Sequence, residues 1–309
     1  MTKRIMKQTI SQPQVDEYED ICYKQRIAKR KVIELKMTLL VPNTTKKKPA
    51  LLYFPGGGFT KANYHKFIQL RTAFATHGFV VAGAYYRTIP EQFPAPVHDA
   101  KEALAYLYRH AEEYQIDTNK LVVLGDSAGG YLAQLLATTS QTDTFLPQAI
   151  PVEQTKIAAA VSFYGFSNML TMGISAAEQA GTAQLATHFL SPENLLVRGV
   201  DLSKPLHLSE EQVKETFRQA SPMMHLAPTN APILLLHGDQ DQLVPMDQSE
   251  RMYQALKERQ QAGALWVIEG AGHGTPEWYQ AELIEQVIHW VETTLQQVEE
   301  PDITYSKTL

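Results

Sequence analysis

The chain has 309 residues, 44% of them hydrophobic and 20% charged, with 28 basic against 33 acidic side chains and a net charge of −5. That balance excludes a disordered chain, and 17 glycines and 17 prolines exclude collagen-like or low-complexity material. A mildly acidic surface offers no field to draw in a phosphate backbone, so nucleic acid is not an expected partner.

Residues 1–20 read as a polar N-terminal arm. Basic residues open it, but no apolar stretch follows, so a secretory signal is not expected. Cys22 is the single cysteine and reads as a half-buried strand residue. One cysteine permits no internal disulfide, which suits a reducing compartment and a cytoplasmic protein. No run reaches the roughly 18 apolar residues that a membrane span requires. Ile33, Leu35, Met37 and Leu39 alternate with Glu34, Lys36 and Thr38, the period of a half-buried strand that ends at Val41 before Pro42. Ile21 to Ile27 reads as its antiparallel partner, with Lys29, Arg30 and Lys31 near the turn. Lys46 to Lys48 reads as a solvated loop.

From Ala50 the pattern changes to short continuous apolar runs: Leu51 to Phe54, Phe79 to Tyr86, Lys120 to Leu124, Ile157 to Phe163, Ile233 to Leu236 and Ala264 to Ile268. Such runs predict strands buried on both faces. Between and after them come helical patterns over Lys66–His77, Val97–Glu113, Ala128–Thr139, Gln248–Gln260 and Thr275–Gln297. The alternation predicts an α/β fold, a mostly parallel central sheet with helices on both faces. One stretch interrupts it. Phe166 to Pro222, about 57 residues, carries no strand-like run but has helical patterns at Ser175–His188 and Ser209–Ala220, the latter with a Ser-Glu-Glu start suited to capping. Residues 21–309 therefore read as one catalytic domain with a helical lid inserted at about 166–222.

Gly125-Asp126-Ser127-Ala128-Gly129-Gly130 satisfies Gly-x-Ser-x-Gly between a strand run and a helix run. The spacing predicts a sharp turn that thrusts Ser127 out of the strand in a strained conformation, with glycines on either side to avoid clashes. A serine hydroxyl is inert unless a base takes its proton. Among ten histidines, His273 stands in Gly-Ala-Gly-His-Gly after the last apolar run, on a loop free to project its ring over the sheet edge. His98, just inside a helix, and His237, at a strand end, are weaker rivals. The acid that orients the base belongs on a turn upstream, where Asp239 and Asp241 both qualify and Asp247 is a third option. One of these reads as a turn former bonded to its own backbone. Gly56, Gly57 and Gly58 follow a buried strand and offer backbone N–H groups for a developing oxyanion. A phosphate loop fails because no Gly-Lys-Ser/Thr follows, and no cofactor is implied. With no His-Glu-x-x-His or Cys-x-x-Cys, no metal is expected.

Together with Phe54-Pro55-Gly56-Gly57-Gly58-Phe59, Asp241-Gln242-Leu243-Val244-Pro245, Gly272-His273-Gly274 and Tyr86-Arg87 before Phe93-Pro94-Ala95-Pro96, that block resembles the α/β-hydrolase superfamily. The closest resemblance is to its hormone-sensitive-lipase-like and feruloyl-esterase-like carboxylesterases, over about Ile33 to Glu292. The resemblance implies Ser127 as nucleophile, His273 as base and Asp241, three residues before Val-Pro, as acid. It implies Gly57, Gly58 and Ala128 N–H groups as the oxyanion hole, and a small-molecule ester as substrate. Where the family usually has His-Gly-Gly-Gly, this chain has Pro55 in place of the histidine that braces the loop. A related serine peptidase and a non-catalytic binding protein on a hydrolase scaffold are the alternatives. Phe59, Phe163 and Phe166 are aromatic residues that would shape an acyl pocket, although an aromatic beside a buried strand more often reads as simple core.

Overall fold

In the computed structural model, residues 3–7, 9–28, 30–172, 191–199, 209–227 and 230–299 are described. Eight strands form one sheet in the order β1-β2-β4-β3-β5-β6-β7-β8. β1 (Val15–Ala28) and β2 (Lys31–Pro42) form a long hairpin, and β2 pairs antiparallel with β4 (Val80–Ala84). From β4 onward all pairs are parallel: β3 (Lys48–Phe54), β5 (Ile116–Asp126), β6 (Ala159–Phe163), β7 (Ile233–Gly238) and β8 (Gly263–Ile268). This is the α/β-hydrolase fold. The continuous apolar runs are buried throughout in β3, β4, β6 and β7, and they pack against helices on each face.

The first strand begins at Val15, inside the segment expected to be an arm to residue 20. As an edge strand it exposes Glu17, Tyr18, Glu19 and Asp20, so no alternation of apolar residues marked its start. Its register slips between Tyr18 and Ile21, where Asp20 has φ 54°. Cys22 lies in this strand and is half-buried. The helix expected over Val97–Glu113 is two, α2 (Ala95–Arg109) and α3 (Ala111–Tyr114), parted at His110.

The other core helices are α1 (Ile68–Thr76), α4 (Ala128–Thr138), α7 (Asp247–Glu258) and α8 (Ala281–Glu299). α8 starts later than the periodicity suggested, because Pro276–Tyr279 forms a separate 3-10 turn. In the insertion, α5 (Pro192–Arg198) and α6 (Glu210–Gln219) are helical. Ser209 caps α6 through Gln212 N–H, and the Gln212 side chain returns the bond to Ser209 N–H, a capping box that satisfies two orphan donors. The helix expected over Ser175–His188 lies outside the described residues. Among the described residues no helix is long and apolar enough to cross a membrane.

Candidate active site

Ser127 stands between β5 and α4 with φ 54° and ψ −120°, a conformation that a non-glycine residue holds only where its surroundings enforce it. Here the Ser127 N–H donates to Phe163 O at 2.9 Å, tying the turn to β6. The flanking glycines are sterically required. A Cβ on Gly125 would collide with the Gly129 backbone, and one on Gly129 with the Phe54 carbonyl. The strand-to-helix packing expected from the pentapeptide is therefore present in detail.

All the loops that matter leave the C-terminal ends of parallel strands, where open α/β sheets place their ligands. After β8, Gly270 and Gly274 take φ 76° and 68°, and Trp278 Nε1–H donates to Gly272 O at 2.8 Å. This loop carries His273, whose Nε2 lies 2.9 Å from Ser127 Oγ and whose Nδ1 lies 2.7 Å from Asp241 Oδ2. With an ionised Asp241, Nδ1–H donates and Nε2 is left to accept the serine proton. Tyr164, directly after β6, stands edge-on to the His273 ring at 4.7 Å.

The two aspartates left open by position now differ. Asp239 is exposed and its Oδ1 accepts from Gly270 N–H at 2.8 Å, joining the two turns. Asp241 has no side-chain exposure, and its Oδ1 accepts from Leu243 N–H at 2.9 Å and Val244 N–H at 3.0 Å. The residue that meets His273 is thus also the one bonded to its own turn. Burial pushes the Asp241 carboxyl up, but hydrogen bonds from His237, His273 and the Val244 N–H together outweigh it and hold the carboxyl well below the usual range. Asp247 stands apart at the start of α7, paired with Arg251 at 3.0 Å.

His237, a rival for the base, is fully buried and faces Asp241 instead. Its Nε2 lies 2.9 Å from Val244 O and 3.5 Å from Asp241 Oδ2, and its Nδ1 lies 2.7 Å from Ser249 Oγ. His98 makes no contact with the Ser127 cluster among those described. A cavity of about 840 Å³ opens over Ser127 and His273. Gly57, Gly58 and Ala128 line it beside the serine, and Ser191, Pro192 and Glu193 of the insertion close one side. Of the three phenylalanines, Phe166 lines the cavity, whereas Phe59 and Phe163 are buried core on opposite faces of the sheet.

Sequence reasoning missed a second cluster beneath the Gly56–Gly58 loop. Asp126 is fully buried and accepts from Tyr53 Oη at 2.7 Å, Gly56 N–H at 2.8 Å, Lys66 Nζ at 2.6 Å and Tyr164 Oη at 3.5 Å. Burial first, then the Asp126 charge, pushes the Tyr53 and Tyr164 phenols well above their usual range, so both remain donors. Tyr86 Oη donates to Pro55 O at 2.7 Å. The available signal was an aspartate beside a strained serine, where a buried charge demands partners.

The chain is similar to several known esterases. The chain is 28% identical over 236 residues to Esterase LipC of Mycobacterium tuberculosis, covering 74% of this chain and 54% of that one. It is 30% identical over 213 residues to the probable carboxylic ester hydrolase LipM of the same organism, covering 68% and 45%. The chain thus spans about half the length of the curated relatives it matches. Among solved structures, a truncated carbohydrate esterase from gut microbiota superposes with a TM-score of 0.73 at 18% identity, over 93% of this chain and 99% of that one. The Est2 esterase of Thermogutta terrifontis superposes with a TM-score of 0.68 at 21% identity, over 96% and 95%. These two share the fold. Residues 37–256, more than two thirds of the sequence, match the BD-FAE family model, and the chain belongs to that family.

Proposed function

We propose that the chain is a serine carboxylic ester hydrolase acting on small, uncharged short-chain or aryl esters. The observation that carries the reading is the unbroken hydrogen-bond chain from Ser127 Oγ through both ring nitrogens of His273 to Asp241. Ser127 Oγ attacks the acyl carbon as His273 Nε2 takes its proton, and the buried Asp241 stabilises the resulting imidazolium. The acyl oxygen, now negative, is received by the Gly57, Gly58 and Ala128 N–H groups, which need no reorganisation during the step. His273 then protonates the departing alkoxide, leaving an acyl-Ser127 ester. Water, deprotonated by the same Nε2, attacks that ester and releases the acid.

The cavity supports a small substrate. Phe166, Met172, Leu243 and Val244 give it an apolar sector for an acyl chain or ring, while Glu193, Gln242, Gln248 and Arg251 supply polar groups for the alcohol side. The insertion contributes to this wall, so it is the segment that sets which ester fits.

Incubation with a fluorophosphonate probe tests the reading. Labelling of the wild-type chain, its loss in Ser127→Ala, and loss of aryl-acetate hydrolysis in Ser127→Ala and His273→Ala are expected. Unlabelled wild-type protein would point instead to a binding protein on a hydrolase scaffold. Cleavage of peptides in preference to esters would favour the peptidase alternative.

A further inference from the structure

We propose that Lys66 is the positioning residue of the oxyanion loop, acting through Asp126 in place of the loop histidine that this chain lacks; the proposal rests on the serine-esterase reading above.

The loop's first peptide unit is gripped on both sides. Its carbonyl, Pro55 O, accepts from Tyr86 Oη at 2.7 Å, and its N–H, on Gly56, donates to Asp126 Oδ1 at 2.8 Å. Pro55 cannot supply a side-chain hydrogen bond, so orientation of the plane that leads into Gly57 and Gly58 depends on these two contacts. One of them is a carboxylate. Asp126 has no exposure, and it immediately precedes the serine at which an oxyanion would form. Unpaired, its charge would oppose that oxyanion across a low-dielectric gap, and it would be costly to keep buried.

Lys66 answers both problems. Its Nζ lies 2.6 Å from Asp126 Oδ2, and among the described residues no other cation is within ion-pair distance of that carboxylate. The Lys66 side chain lies at the cavity wall, partly exposed, with its Nζ engaged by the carboxylate. Its backbone is locked in turn. Arg71, 1% exposed, donates from Nε to Lys66 O at 3.1 Å and from Nη2 to His65 O at 2.9 Å, while Nη1 meets Thr38 Oγ1 at 3.2 Å. A rigid chain therefore runs from Arg71 through Lys66 and Asp126 to the Gly56 N–H. The side chain that holds the loop comes from the segment before α1.

The test compares Lys66→Met, Lys66→Arg, Asp126→Asn and the double variant Lys66→Met/Asp126→Asn with wild type, using steady-state hydrolysis of an aryl acetate. Losing an oxyanion donor costs about a hundredfold in kcat, and Lys66→Met is expected to approach that loss with KM changed by less than about threefold. Lys66→Arg should recover most of kcat by restoring the ion pair. The double variant should equal Asp126→Asn within about threefold, because Lys66 acts only through the carboxylate and the asparagine oxygen still accepts from Gly56. That comparison also serves if Lys66→Met fails to fold. Inhibition by an alkyl trifluoromethyl ketone, whose serine adduct carries an oxyanion, should weaken in parallel with kcat/KM. Unchanged kcat in Lys66→Met, a change confined to KM, or a further loss in the double variant beyond Asp126→Asn would each overturn the proposal while Ser127 labelling leaves the esterase reading intact. Full hydrolysis by Ser127→Ala would sink both.

Discussion

Replacing Asp241 with asparagine tests the site most directly, because the structure says how the substituted amide must sit. The carboxylate uses Oδ1 for Leu243 and Val244 N–H and Oδ2 for His273. An asparagine keeps the two turn bonds with its oxygen and is left presenting an NH₂ group to His273 Nδ1. The ring then accepts at Nδ1 and carries its proton on Nε2, the wrong tautomer to deprotonate Ser127. The imidazolium of the proposed mechanism also loses its counter-charge. With charge centres roughly 4 Å apart and an effective dielectric near 20, that attraction is about 4 kcal/mol, or about a thousandfold in rate. Adding the tautomer inversion brings the expected loss of kcat to about 10,000-fold, the scale seen when a triad acid becomes an amide. Asp239→Asn serves as the control, since its remaining oxygen still accepts from Gly270 N–H, and a change below about threefold is expected. Both are measured by steady-state hydrolysis of a short-chain aryl ester at neutral pH. Should Asp239→Asn prove the more damaging, the assignment of the acid is wrong.

Further outcomes separate local strain from packing and charge. Gly125→Ala should fail to yield folded enzyme or lose more than about 4 kcal/mol in urea unfolding, because its Cβ meets the Gly129 backbone. Gly78→Ala, at φ 90° in open space, should cost only about 1–2 kcal/mol of backbone strain; equal losses at the two sites would contradict the steric argument. The Asp241 carboxyl is held below its unfolded value, so its stabilising contribution is complete above about pH 4 and is lost as pH falls through the lower folded range. The gap in unfolding midpoint between wild type and Asp241→Asn should accordingly narrow on acidification below that point, and a gap that widens would refute the sign. Lys101 has the same sign from a different cause. Burial, partly opposed by Asp143, lowers it to about 8, although its ammonium donates to Thr139 O at 3.0 Å and Thr144 O at 2.7 Å. Between that value and the unfolded value near 10.5 the unfolded chain binds more protons, so wild-type stability relative to Lys101→Met should rise from pH 8 to 10.

Much of the scaffold was legible because its signals are local. Continuous apolar runs mark strands buried on two faces, and the Gly-x-Ser-x-Gly spacing marks a turn in which Gly125 meets the Gly129 backbone four positions on. The capping box at Ser209 is of the same kind. The first strand was harder to see, since an edge strand with Glu17, Glu19 and Asp20 exposed carries no period to read.

Position along the chain left open which side chain meets which, and the tertiary structure supplies those contacts. Asp239 and Asp241 occupy equivalent turn positions in sequence, and only the path of the β8 loop brings His273 to Oδ2 of the second and Gly270 to the first. His237 has the chemistry of a base, yet its place inside β7 turns it toward Val244 and Ser249. Lys66 and Asp126 are 60 residues apart, and their 2.6 Å contact exists because β3 lies beside β5 in the sheet order. Chain-local conformation follows from steric and hydrophobic periodicity over a few residues. Strand order, loop trajectory and burial add the long-range contacts that select one partner among chemically equal candidates.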